Sequence, residues 1–138
     1  MTAFLLTRKK YGGIIFVEGG VMMKNSADPQ DIVDYIIKIK RLIKDGKYDF
    51  VPRKKCLQSL ASHGLTVRDA KDEILSLTAR DYYKGPKEDY DVNRPGDVWE
   101  FKKNIDGTKF YIKIKIEKRD NGEEIVKCFG FHEDEFDE

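Results

Sequence analysis

Two dipeptides, Asp106-Gly107 and Asn121-Gly122, constrain this chain more than any other feature. Each suits the positive φ angles of a two-residue hairpin turn, and each is flanked by alternating apolar and polar residues. Together they predict three antiparallel strands within residues 97–132. The first turn pairs Ile105 with Thr108, which sets Lys102 opposite Tyr111, Phe101 opposite Ile112, Glu100 opposite Lys113 and Trp99 opposite Ile114. The second pairs Asp120 with Glu123, which sets Tyr111 opposite His132, Ile112 opposite Phe131, Lys113 opposite Gly130 and Ile114 opposite Phe129.

Side chains alternate across a strand, so this register divides the meander into two faces. One face carries Trp99, Phe101, Phe110, Ile112, Ile114, Ile116, Phe129 and Phe131. Burying each is worth about 1.5–3 kcal/mol, which makes that face the core. The other carries Glu100, Lys102, Tyr111, Lys113, Lys115, Cys128, Gly130 and His132. These are proton-transfer and phosphate-binding groups around a position without a side chain. A one-residue slip in either hairpin would scramble the division, so its cleanness supports both turns.

The segment before the meander reads as helical. Asp28 can cap, Pro29 suits the first helical position, and Ile32, Tyr35, Ile36, Ile39, Leu42 and Ile43 form one stripe that stops at Gly46. A loop through Tyr48 to Pro52 leads to a second helix over 53–62, and Thr66 caps a third whose buried side is Ala70, Ile74, Leu75 and Leu77. Thr78 and Asp81 make a short capped turn, and residues 84–96 read as a polar loop. The expected fold is α+β, with the N-terminal helices packed on one face of a C-terminal antiparallel meander of three or more strands.

A chain of 138 residues bounds this to one core. Residues 1–22 lack sustained periodicity, and Glu18-Gly19-Gly20 is encodable as a ribosome-binding sequence just ahead of Met22 and Met23. The expectation is a non-native or disordered extension over 1–22, a single domain over 23–132 and an acidic tail over 133–138. The apolar clusters near the N-terminus are too short for a membrane span and are followed, not preceded, by Arg8, Lys9 and Lys10, so a cytoplasmic protein is expected. Cys56 and Cys128 have no metal or disulfide spacing, and no metal or cofactor is expected. The formal charge of +1 includes five acids in the last six residues, so the body is mildly basic and suits an anionic partner. The same acids would repel such a partner, and a tail folded back over the polar sheet face would block it.

Tyr111 and His132 could move a proton, Lys102, Lys113 and Lys115 could hold a phosphate, and Glu100 could act as a base. Such a set fits a metal-independent ribonuclease in which a base activates the ribose 2′-hydroxyl. It also fits a solvated sheet face of a non-catalytic RNA-binding or protein-interaction domain.

The segments KIKRLIKDGKYDF (38–50), ILSLTARDYYK (74–84), DVWEF (97–101), FYIKIKI (110–116) and FGFH (129–132) resemble, in unbroken order, the MqsR family of bacterial toxin–antitoxin toxins. The resemblance implies a RelE-like fold and an mRNA interferase that leaves a 2′,3′-cyclic phosphate. It implies catalytic roles for Lys84, Tyr111 and His132; the sheet face itself adds Lys113 and Glu100 as catalytic candidates and Lys102 and Lys115 as RNA-binding ones. The general base stays open between Glu100 and His132. The implied partners are mRNA and a cognate antitoxin, often with a zinc-binding N-terminal half.

Overall fold

In the computed structural model, residues 27–89 and 96–135 are described; the expected extension over 1–22 and its start at Met22 or Met23 lie outside them. Helix α1 (Pro29–Lys44) is followed by strand β1 (Tyr48–Phe50), helices α2 (Lys54–Ser62) and α3 (Val67–Leu75), and a 3-10 turn at Ala79–Asp81. Strands β2 (Tyr82–Glu88), β3 (Asp97–Ile105), β4 (Thr108–Lys118) and β5 (Glu124–Glu133) complete one sheet, in the order β1-β5-β4-β3-β2. The fold is α+β, with the helices against one sheet face.

The helices form where their sequence periods and caps require. The apolar stripe of α1 buries Ile32, Ile36, Ile39 and Ile43, and Pro29 opens the helix. Asp28 occupies the N-cap position, but its side chain makes no capping bond to the helix. Thr66 and Asp69 form a reciprocal capping box at α3, with bonds of 3.0 and 2.8 Å. The core unites these helices with Trp99, Phe101, Phe110, Ile112, Ile114 and Phe131 of the sheet. Tyr35 of α1 stacks on Trp99 with ring centroids 4.1 Å apart, joining helix to sheet.

Asp106 (φ 51°) and Gly107 (φ 88°) make the expected two-residue turn, and β3 pairs with β4 in the register read from it. The second hairpin differs. Arg119 rather than Asp120 pairs with Glu123, closing a three-residue loop whose last residue, Gly122, has φ 87°. That shifts β5 by one residue and sets Ile114 opposite Cys128, not Phe129. A bulge then places both Phe129 and Gly130 against Lys113 and cancels the shift, so Ile112 faces Phe131 and Tyr111 faces His132 as the turns implied. Two assignments therefore change sides: Cys128 is buried in the core, and Phe129 lies on the opposite face.

The sheet also has two strands where loops were expected. Tyr48–Phe50 pairs in parallel with β5, so the sheet is mixed, and Tyr82–Glu88 pairs with β3 as an edge strand. An edge strand tolerates the Gly85-Pro86 dipeptide because one side of its backbone needs no ladder bonds. No helix among the described residues is long and apolar enough to cross a membrane.

Candidate functional site

The sheet face turned away from the helical core carries a cleft of about 460 Å³. Its floor is built by alternation along the central strands: Glu100 and Lys102 from β3, Tyr111 and Lys113 from β4, and Gly130 and His132 from β5. One wall comes from Tyr83, Lys84 and Lys87 on β2, and the other from Arg53 and Lys55 at the start of α2. Phe129, Asp134 and Glu135 complete the rim.

Cross-strand pairing brings Tyr111 and His132 together, with ring centroids 5.3 Å apart. The His132 Nδ1 lies 2.9 Å from the Glu133 carbonyl oxygen. A carbonyl only accepts, so Nδ1 carries the proton and Nε2 of the neutral ring is left with a lone pair. Behind Tyr111 stands Glu100, 3% exposed, whose Oε2 is 2.5 Å from the Lys87 ammonium. Burial pushes the Glu100 carboxyl up, but hydrogen bonds from Lys87 and Tyr111 and the charge of Lys113 outweigh it and hold Glu100 below the usual carboxylate range. The Tyr111 phenol is raised well above its usual range, first by burial and then by its hydrogen bond to the Glu100 carboxylate. Tyr111 thus keeps its proton at neutral pH, and Glu100 is ionised.

Cations dominate the walls, but not all are equally available. Lys87 pairs with Glu100, Lys102 pairs with Asp134 at 3.1 Å, and Lys55 pairs with Glu135 at 3.0 Å. Lys84 and Lys113 form no ion pair among the described residues; their ammonium groups sit 5.0 Å and 5.4 Å from the ring centres of Tyr83 and Phe129.

The cleft therefore unites Lys84, Glu100, Lys102, Tyr111, Lys113 and His132. Lys115 stands apart from its lining: its side chain is 5% exposed and its ammonium pairs with Asp89 and Glu117. Arg53, Lys55, Tyr83, Lys87 and Phe129 were not anticipated at the site. The first four reach it from α2 and β2, through contacts distant in sequence that no local pattern encodes. Phe129 arrives through the bulge, for which Gly130 beside an apolar pair was the only local hint.

A family model described as "Motility quorum-sensing regulator, toxin of MqsA" matches residues 35–133. No curated protein and no solved structure matches the chain.

Proposed function

We propose that this chain, which belongs to the MqsR toxin family and is thus the toxin of a toxin–antitoxin pair, is an endoribonuclease that cuts single-stranded mRNA by attack of a ribose 2′-hydroxyl on its own phosphate. The observation that carries this reading is His132 seated beside Tyr111, with its Nε2 lone pair available, in a cleft that also holds the ammonium groups of Lys84 and Lys113, which form no ion pair among the described residues.

His132 is the general base, since with Nδ1 bonded to the Glu133 carbonyl its Nε2 lone pair can take the nucleophile's proton. Glu100 is a weaker base, because Lys87 and Tyr111 stabilise its ionised form. Tyr111, its proton held toward Glu100, guides the nucleophile rather than deprotonating it. Lys84 and Lys113 bind the phosphate and stabilise the charge that develops on its oxygens, and an ammonium of the cleft is acidic enough to protonate the departing 5′ oxygen. Lys102 lies beside them on the neighbouring strand, its charge balanced by Asp134. These steps need no metal and leave a 2′,3′-cyclic phosphate. The cellular site would be the cytoplasm, where mRNA is found, and the cognate antitoxin would bind this protein there.

The test is incubation of the full chain and its His132→Ala variant with mixed-sequence RNA in EDTA, mapping the ends formed. Cleavage at a short recurring sequence with cyclic phosphate ends, absent in the variant, is the expected result. Intact RNA that is nevertheless bound would overturn the catalytic role and leave a binding module.

A further inference from the structure

Phe129 is the one large apolar side chain that the bulge moves from the expected core onto the cleft. A phenylalanine left half-buried on a face otherwise made of charged residues, a histidine, a glycine and two tyrosines gives up part of its transfer energy unless something covers it. Its surroundings say what that cover is. The Lys113 ammonium lies 5.4 Å from its ring centre, and Arg53 Nη1 donates to its carbonyl oxygen at 3.1 Å. An aromatic ring among cations matches a nucleotide, whose flat base needs a ring and whose phosphate needs a charge.

The spacing agrees. Phe129 and His132 flank Gly130, and a Cβ added to Gly130 would stand 3.0 Å from the Lys113 Cβ, tighter than ordinary contact. The missing side chain leaves that space to Lys113, which packs directly over the Gly130 backbone and is held beside the ring. Phe129 and His132 are separated along the strand by roughly 7–10 Å, about the reach from a ribose to the base of an adjoining nucleotide.

We infer that Phe129 is a nucleobase-stacking platform that positions the nucleotide beside the cleaved phosphate and thereby helps set the cleavage sequence. This rests on the endoribonuclease reading for its consequence in cleavage, but not for stacking itself. The two are separable with a single-stranded oligonucleotide that carries 2′-deoxyribose at every position, and so cannot be cut by 2′-hydroxyl attack, with 2-aminopurine placed in turn at each position. Binding to the full chain should quench the fluorescence of one position strongly. Phe129→Leu keeps the apolar bulk without a flat ring, and it should lose the quench and weaken binding roughly 5- to 100-fold. Phe129→Trp should retain both. With cleavable RNA, Phe129→Leu should raise KM, leave kcat near that of the parent chain, and broaden the set of cut sequences.

An unchanged quench and affinity in Phe129→Leu, or no binding of the oligonucleotide by the parent chain, would overturn the platform. Normal stacking without cleavage of RNA by the parent chain would overturn the catalytic reading and leave the platform standing.

Discussion

Histidine 132 and tyrosine 111 sit side by side, yet their substitution should have different consequences because their protons are held differently. On the proposed endoribonuclease reading, His132→Ala removes the lone pair that would take the nucleophile's proton, and turnover should fall roughly 10²-fold or more with RNA affinity nearly unchanged. On the same reading, Tyr111→Phe removes the hydroxyl that is bonded to Glu100 and would guide the nucleophile; single-turnover cleavage should slow by at least about tenfold, again without loss of affinity. Glu100 makes a different prediction, about stability. Its carboxyl is held below the ordinary range in the folded chain, so folding favours the ionised form. The stabilisation is therefore fully present above the ordinary carboxylate pKa and is lost as pH falls through the lower, folded value. Glu100→Gln should unfold more easily than the parent at pH 7, by about 1–3 kcal/mol, because it leaves Lys87 without its buried counter-charge. Urea titrations from pH 7 downward should show the gap narrowing below about pH 4; a gap independent of pH would remove the electrostatic explanation.

How far the strands and helices could be read from sequence depended on whether their signal was local. Stripe and stop signals placed α1, α2 and α3, and Asp106-Gly107 fixed the β3–β4 register, because each depends on residues within a turn or two. Tyr48–Phe50 was missed because three residues carry no alternation, and its parallel pairing with β5 is set by a partner far along the chain. Tyr82–Glu88 was missed because Gly85-Pro86 is a loop signal everywhere except at a sheet edge. The β4–β5 register near His132 came out as expected only because the longer turn and the bulge shift β5 by one residue in opposite directions. The Tyr111–His132 pair survived that error, whereas Cys128 and Phe129 did not. Gly85 yields a test of the missed edge strand: its φ is +116°, and a Cβ there would lie 2.6 Å from the Val98 carbonyl oxygen. Gly85→Ala should cost about 2 kcal/mol or more in unfolding experiments. It should also impair RNA binding, since β2 presents Lys84 to the cleft.

Across the whole chain, a formal charge of +1 conceals a cationic cleft beside a string of C-terminal carboxylates, and these carboxylates divide into two kinds. Asp134 is built in: its side chain is 5% exposed and pairs with Lys102, itself 11% exposed, while its backbone N–H bonds the Lys109 carbonyl at 2.8 Å. Glu135 is different, for its pair with Lys55 is half-exposed on both sides. Such a surface pair is worth no more than about 1 kcal/mol, so an RNA phosphate can displace it at modest cost. We therefore propose that Glu135 lowers RNA affinity by competing for the Lys55 ammonium and that the acids beyond it add negative charge, while Asp134 serves as a fixed counter-ion. Removing residues 135–138 takes away three carboxylates and should tighten RNA binding roughly 3- to 10-fold at low salt, with the advantage fading as salt screens the charges. Asp134→Asn should instead lower the unfolding midpoint, because it strands the Lys102 charge in a nearly closed position. Equal RNA affinity of the shortened and full chains at low salt would show that the acidic end has no hold on the site.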